Sequence, residues 1–168
     1  SSIYNRIAID VAALVIKHVR VDDKGRYEGD LDTFLNNCLT LEPNLDQSPR
    51  SFRQDIAITL FDKGCAALVP VDTSVSPSTN EIFDILSIRV GEVMMWHPKH
   101  VRLSVYKEKV AKREEITLEK RFVAIVENPL YPVMNEHNST LQRLMRKLSL
   151  IDSVDEQTSS GKLDIIIQ

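Results

Sequence analysis

The sequence has few residues of the kinds that hold small folds together by covalent bonds or bound metals. Only two cysteines, Cys38 and Cys65, occur among the 168 residues. They lie beside Leu39 and Ala66 in apolar patterns, which favours buried free thiols in a reducing compartment; the spacing leaves a disulfide open but does not support one. His97 and His100 flank a proline, with no cysteine or carboxylate cluster nearby. We therefore predict no metal site.

Sequence signatures of catalysis and of membrane insertion are also absent. There is no P-loop, no GxGxxG, no GxSxG and no HExxH. No Ser, Cys or His is placed as an activated nucleophile. No apolar run approaches the ~20 residues that span a bilayer, and no signal pattern opens the chain. We predict that the protein is not an enzyme, needs no cofactor and has no membrane partner.

The chain lacks the basic excess of a protein that grips nucleic acid. It has 21 basic and 24 acidic residues, so its formal net charge is -3. Phosphate neutralisation supplies most of the affinity of a freestanding DNA reader, so this balance argues against such a role. Apolar residues make up 43% and charged residues 27%. These proportions, with the length, indicate one folded domain or one and a half.

The first 63 residues are predicted to be helical. The first helix covers residues 3–19 and is ended by a turn at residues 22–25. Its apolar face holds Ile3, Ile7, Val11, Leu14, Val15 and His18.

Two further helices are predicted before residue 64. Asp30 caps the second, whose apolar stripe is Leu31, Phe34, Leu35 and Cys38, and which ends before Pro43. The third covers residues 49–63, with Ser48 as N-cap, Pro49 at its first position and Gly64 as a left-handed C-cap. Its buried side is Phe52, Ile56, Leu60 and Phe61.

A mainly β part covers about residues 65–127. Strands are expected at residues 65–71, 85–90 and 93–96, with a polar loop at 72–80 and a turn at Gly91–Glu92. Period-two alternation then predicts an antiparallel hairpin of residues 101–106 with 116–119, continuing through 121–126. Its connection, residues 107–115, has no Gly, Pro or Asn, so it is either a long solvated tip or a short helical turn.

The C-terminal part is predicted to contain a helix over about residues 135–152 that packs back on the sheet. Ser139 and Gln142 match a capping box. Its apolar stripe is Leu141, Leu144, Met145, Leu148 and Ile151. Residues 162–168 read as a strand, and an ending inside an apolar strand is typical of a truncated chain. Together these patterns predict an α+β fold: N-terminal helices, then an antiparallel sheet and a C-terminal helix.

Two groups of basic residues are candidates for contact with DNA or with an acidic partner. They are Lys107, Lys109, Lys112 and Arg113 near the hairpin tip, and Arg143, Arg146 and Lys147 on the last helix. Glu108, Glu114 and Glu115 lie among the first group. The composition favours a solvated, salt-bridged surface, with weak phosphate or partner contact as the alternative.

The order of motifs resembles the N-terminal, wing-like portion of phage portal proteins of the HK97-like type. The matching features are the opening Ser2-Ile3-Tyr4-Asn5-Arg6-Ile7-Ala8-Ile9-Asp10-Val11-Ala12, the Pro43-Asn44 pair, the Phe-bearing helix after Ser48, the Gly64 strand entry, residues 122–130 and residues 138–141. The resemblance covers nearly all of the chain. Portal proteins are longer and continue into a stem, a clip and a crown, so this chain resembles only their outer part.

The resemblance implies a structural, non-catalytic role at a capsid vertex. A portal is a homo-oligomeric ring, a dodecamer in its full-length form, through which double-stranded DNA is packaged and ejected. The partners it implies are other copies of the chain, the major capsid protein, the terminase packaging motor, the head-tail connector and, transiently, DNA. The location it implies is the virion, with the host cytoplasm during assembly. The alternative from the residues alone is a small α+β protein–protein interaction module unrelated to portals.

Overall fold

The computed structural model describes residues 2–132 together with residues 147, 148, 150 and 151. Three α-helices before residue 64 and two antiparallel sheets confirm the predicted α+β class. The helices are α1 (Ser2–Ala12), α2 (Phe34–Thr40) and α3 (Pro49–Lys63). The strands are β1 (Val19–Val21), β2 (Tyr27–Asp30), β3 (Cys65–Thr73), β4 (Ile85–Trp96), β5 (His100–Lys107), β6 (Lys112–Glu119) and β7 (Ala124–Glu127).

Helix α1 is shorter than predicted and buries a different face. It ends at Ala12, and Ala8 and Ala12 are its buried residues. Alanine lets α1 approach α3 closely, and Tyr4 stacks on Phe61 with ring centroids 5.5 Å apart. The Nε of Arg53 donates to the Ala12 carbonyl oxygen at 3.0 Å, which satisfies one open carbonyl at the helix end. The predicted apolar face is wrong, because the exposed residues include Ile7, Val11, Leu14 and Val15.

After α1 the chain has no regular secondary structure at residues 15–18, and a hairpin follows from Val19 instead of more helix. Strands β1 and β2 pair around a turn in which Asp22 accepts hydrogen bonds from the backbone of Lys24 and Arg26. The turn at residues 22–25 was predicted, but the two short strands were not. Cross-strand pairing favours the β-branched residues here and overrides their helical spacing.

Helix α2 begins later than predicted. Its N-cap is Thr33, whose hydroxyl accepts from the Asn36 N–H, because Asp30 is the last residue of β2. Cys38 is buried as expected, whereas Phe34 is about half exposed, so its place in the apolar stripe is wrong. The helix ends before Pro43, as predicted.

Helix α3 has the predicted bounds and caps. Ser48 accepts from the Ser51 N–H, Pro49 is the first residue, and Gly64 ends the helix at φ 82°. Phe52 is fully buried, while Ile56 and Leu60 pack partly buried against the same cluster. Sequence rules were sufficient here because every signal is local.

The larger sheet has the strand order β6-β5-β4-β3-β7 and is folded along β4. Residues up to Gly91 pair with β3, and residues from Glu92 onward pair with β5. The predicted turn at Gly91–Glu92 is therefore wrong: β4 is one strand that bends there. A Cβ on Gly91 would lie 3.0 Å from Val105 Cγ2 and 3.1 Å from Val69 Cγ2. Glycine is what allows β3 and β5 to meet across the fold.

Two hydrophobic clusters lie on opposite faces of β3. Ala66, on one face, packs with Cys38, Phe52, Ile88 and Val90 beneath the helices. Ala67 and Val69, on the other face, pack with β5 residues across the folded sheet. The second cluster is completed by Val101, Leu103 and Val105.

The β5–β6 hairpin is confirmed, but its tip is shorter than residues 107–115. Lys107 pairs with Lys112, and the 3-10 turn Glu108–Val110 connects the strands. The alternative of a short helical turn is thus the correct one, with Ala111 at φ 51° taking the left-handed position. The predicted continuation of β6 is wrong. A 3-10 turn, Lys120–Phe122, ends β6, and β7 pairs with β3 at the opposite edge.

The predicted C-terminal elements lie mostly outside the described residues. Lys147, Leu148, Leu150 and Ile151 are helical, in agreement with the predicted helix, but all four are exposed. Leu148 and Ile151 are thus not buried, contrary to their place in the predicted apolar stripe. The capping box at Ser139 and the strand at residues 162–168 lie outside the described residues.

Candidate functional site

A buried arginine on β4 is the centre of the most elaborate polar arrangement in the described part of the chain. Arg89 is only 5% exposed. Its Nη2 donates to Glu108 Oε1 at 2.5 Å and to Asp46 Oδ2, and its guanidinium carbon lies 5.0 Å from the centre of the Tyr106 ring. Arg89 therefore joins three segments that are distant in sequence: the loop before α3, β4 and the hairpin tip.

The loop that carries Asp46 is fixed to β4 by the Pro43–Asn44 pair. The Ile88 N–H donates to the Pro43 carbonyl oxygen at 2.7 Å, and the Asn44 Nδ2 donates to the Ile88 carbonyl oxygen at 3.0 Å. The Asn44 Oδ1 accepts from the Asp46 N–H at 3.1 Å. These bonds use backbone groups of β4 at residues that do not pair with β5. They also direct the Asp46 side chain toward Arg89.

The surroundings keep Arg89 charged. Burial alone would lower its pKa, but the hydrogen bonds that Arg89 donates to Glu108 and Asp46, together with the charges of these carboxylates, outweigh burial, so the pKa of Arg89 is raised. Its Nε has no hydrogen-bond partner within the described residues. The two carboxylates are more exposed than the arginine, at 33% for Glu108 and 52% for Asp46. The cluster of three residues thus has one desolvated member, Arg89, and two partly hydrated carboxylates.

A groove of about 860 Å³ opens beside Arg89. One wall comes from α2 and the loop after it, and the other from the hairpin tip. Phe34 and Leu45 are exposed apolar residues on the first wall, and Lys107 and Lys109 stand on the second. The groove combines exposed apolar surface with charges of both signs, which suits contact with a protein surface.

A second cavity of about 330 Å³ lies against the same Arg89–Tyr106 pair. It is lined by Asp46, Gln47, Asp55, Arg89, Val90, Tyr106 and Arg113. Burial raises the pKa of the Asp55 carboxyl, even though the hydrogen bond from Gln47 and the charge of Arg113 act in the opposite direction. Its polar neighbours thus offset only part of the cost of burying the Asp55 charge.

The groove offers little for bond-making chemistry. Cys38 lines it, but its Sγ donates to the Ile85 carbonyl oxygen at 3.5 Å and burial raises the pKa of the thiol, so it stays protonated. Neither cysteine forms a disulfide. Within residues 2–132 and the four described helical residues, no group of three or more His, Cys, Asp or Glu side chains converges as metal ligands would.

The structure places the basic residues singled out in the sequence at the groove, at the smaller cavity and on the exposed hairpin tip. Lys107 and Lys109 line the groove, and Lys107 pairs with Glu114 at 2.8 Å. Arg113 lines the smaller cavity and donates to the Ser104 carbonyl oxygen at 3.2 Å, while Lys112 is exposed at the start of β6. In the second group, Lys147 is exposed, and Arg143 and Arg146 lie outside the described residues. Lys107 and Lys112 are thus cross-strand neighbours at the tip, while Arg113 lies at the smaller cavity.

Sequence reasoning missed Arg89 and its partners. The available signal was a charged residue between Ile88 and Val90 in a strand, since buried charges need partners. Its partner Asp46 is 43 residues away, and only the Pro43–Asn44 loop brings it close.

No protein-family model matches the chain, and no curated protein matches it. In the described part of the chain, none of the helices has the length and apolar character needed to cross a membrane.

Proposed function

We propose that the chain is the wing-like part of a phage portal subunit, a non-catalytic wedge in a ring at the capsid vertex. In this role it contacts neighbouring copies, the major capsid protein, the terminase motor and the head-tail connector, and double-stranded DNA passes it transiently. The proposal begins from the order of motifs in the sequence, and particular contacts of the fold support it.

The residues that carry the resemblance are those that join the elements of the fold. Ala8 and Ala12 of the opening motif are the buried contact of α1. Pro43 and Asn44 hold the Asp46 loop on β4, and Gly64 provides the left-handed connection from α3 to β3. Motif residues that connect secondary-structure elements support a shared architecture better than matches scattered over the surface would.

Exposed apolar residues at two different places in the chain carry the proposal furthest. Leu14 and Val15, after α1, are both 65% exposed, whereas Met94, Met95 and Trp96 at the end of β4 are each about half exposed. A ring closed by head-to-tail contacts needs two different patches on each subunit. A protein that functions as a monomer has no need to expose both groups of apolar residues.

The charge pattern is compatible with a conduit for DNA. Basic side chains at the hairpin tip are matched by acids, as in the Lys107–Glu114 and Arg102–Glu115 pairs. Neutralising many phosphates would make DNA adhere, so mixed charge is what a passage for moving DNA requires.

The test is the assembly state of the full gene product that contains this sequence. We expect sedimentation and electron microscopy of the purified protein to show closed rings of the size of a dodecamer. A gene product that stays monomeric at high concentration would refute the proposal and favour the unrelated interaction module. Turnover of a substrate by the pure protein would refute the non-catalytic part.

A further inference from the structure

The two walls of the groove beside Arg89 are fixed to each other. Arg89 bonds to Asp46 in the loop of the first wall and to Glu108 at the hairpin tip of the second. The Ser87 hydroxyl donates to the Pro43 carbonyl oxygen at 3.2 Å, which adds a bond between that loop and β4. A preformed groove loses little conformational freedom on binding, so it suits a specific partner.

Irregular pairing between β3 and β4 places two further apolar residues in the groove. The register shifts twice, which leaves Val71 and Leu86 out of the regular pairs. Both line the groove, and they are 40% and 39% exposed. β-bulges redirect side chains and are common next to functional sites. With Phe34 at 51% and Leu45 at 80%, four large apolar side chains are exposed in one groove.

The charged residues of the groove favour an occupant that is mainly apolar. They are Glu42, Asp72, Arg89, Lys107, Glu108 and Lys109. An occupant with many charges of one sign would meet like charges in this groove, so a segment with few charges fits best.

The longest run of consecutive exposed apolar residues in the described part of the chain follows α1. We call it the 13–16 segment, and it consists of Ala13, Leu14, Val15 and Ile16. Leu14 and Val15 are each 65% exposed, and Ile16 is 44% exposed. The Leu14 N–H donates to the Val11 carbonyl oxygen at 3.0 Å, which keeps the start of the segment against the end of α1. The segment is thus an exposed apolar projection that carries no charge.

One acid beside the segment and one base in the groove are complementary. Asp10 lies four residues before Leu14, is exposed, and has no ion-pair partner among the described residues. Lys109 is also exposed, and no acid in the described ranges lies within ion-pairing distance of it. The other groove lysine, Lys107, is already paired with Glu114 at 2.8 Å. Lys109 is therefore the groove cation that remains for an acid of a partner.

We infer that the groove of one copy binds the 13–16 segment of a second copy. The inference rests on the proposed function, because it names a contact that closes a head-to-tail ring. The apolar side chains of the segment cover those of the groove, while Asp10 of the second copy pairs with Lys109 of the first. Because the groove and the segment are different parts of the chain, each copy can bind one neighbour through each of them.

Sedimentation of the 168-residue chain tests the ion pair. Asp10→Lys and Lys109→Glu each replace an attraction with a repulsion, so each alone should weaken association about fivefold. Combining the two changes reverses both charges and should restore association. Lys112→Glu is the matched control: it changes the net charge equally at the hairpin tip, but Lys112 does not line the groove, so association should stay unchanged.

Mixing two defective variants tests the head-to-tail geometry. One variant carries Phe34→Lys and Leu45→Lys in the groove, and the other carries Leu14→Lys and Val15→Lys in the segment. Each variant alone should stay monomeric. An equimolar mixture should form a one-to-one pair and nothing larger, because the first variant keeps its segment and the second keeps its groove.

Several results would overturn the inference. A mixture that stays monomeric would do so, as would a combined charge variant without recovery. Groove replacements that lower the unfolding free energy of the dilute chain without changing association would assign the groove to another part of the same chain. Rings of the full gene product that persist in all variants would overturn the inference and leave the proposed function intact. One-to-one pairs without rings of the full gene product would refute the proposed function alone.

Discussion

Arg89 and its two carboxylate partners contribute unequally to the stability of the fold, because only the arginine is buried. Replacing both Asp46 with Asn and Glu108 with Gln leaves a desolvated charge without an anion, which costs about 3–5 kcal/mol in comparable buried pairs. Replacing Arg89 with Met leaves two carboxylates that still reach water. We therefore expect the arginine substitution to destabilise less than the double neutralisation, by about 1–2 kcal/mol.

Urea unfolding of these variants measures the difference directly, because the unfolding free energy falls linearly with denaturant. Lys17→Met, at the exposed Lys17–Asp30 pair, is the control and should leave the unfolding free energy unchanged. Greater destabilisation by Arg89→Met than by the double neutralisation would show that the carboxylates, not the arginine, are the desolvated groups.

Asp55 makes the unfolding free energy depend on pH in the direction opposite to that of an ordinary ion-paired acid. Burial raises the pKa of Asp55 in the folded protein, so the folded chain holds this proton more tightly than the unfolded chain. Ionisation then costs stability as pH rises through the folded pKa, and the cost is absent below the unfolded pKa. We expect Asp55→Asn to gain stability relative to the wild type as pH is raised through this window. Unfolding free energies of both proteins at a series of pH values test this, and a difference that stays constant or reverses would contradict it.

At the scale of elements, two glycines with left-handed backbone angles allow the stability cost of backbone strain to be compared with that of a steric clash. Gly25 and Gly64 both have positive φ, but a Cβ meets nothing within 4 Å at Gly25 and lies 2.6 Å from the Tyr131 ring at Gly64. Gly25→Ala should cost about 1–2 kcal/mol from the left-handed backbone alone. Gly64→Ala should cost about 1 kcal/mol or more beyond that.

Thermal or urea unfolding of both variants, with Tyr131→Ala as background, provides the check. Removing the Tyr131 ring should reduce the cost of Gly64→Ala and leave that of Gly25→Ala unchanged, because only the first pair is in contact. Equal costs at the two glycines in the wild-type background would mean that Tyr131 moves aside freely.

Elements could be predicted from the sequence where their signals are local. The bounds of α3 could be predicted from Ser48, Pro49 and Gly64. The β5–β6 hairpin could be predicted from the alternation of apolar and polar residues. Gly91 was misread as a turn, because a glycine signals either a turn or a close approach of another strand, and only the packing of Val69 on Val105 decides between them. Helix α1 was predicted too long: it ends at Ala12, and pairing of β1 with β2 accounts only for the strand that begins at Val19.

The candidate site was less predictable than the elements, because its residues are brought together by contacts between distant parts of the sequence. Lys107 and Lys109 were singled out and do line the groove, but Arg89, Asp46 and Asp55 were not. Their proximity depends on the Pro43–Asn44 loop bonding to β4, which is a non-local contact. The sequence motif contained this loop, yet nothing in it indicated that the asparagine aims an aspartate at a buried arginine.

At the scale of the whole molecule, the apolar surface after α1 should serve association and not folding. Leu14 and Val15 are 65% exposed, so replacing both with Lys removes little buried area and should change the unfolding free energy by less than about 0.5 kcal/mol each. The same change places two charges in any contact that covers this surface, so it should abolish closed rings of the full gene product. Ala12→Lys is the contrasting variant, since Ala12 is fully buried against α3 and its replacement should unfold the chain. Unfolding of dilute samples and electron microscopy of concentrated ones separate the two effects. Rings that survive the Leu14 and Val15 replacements would exclude this surface from the assembly, and a second patch would then have to be found elsewhere on the subunit.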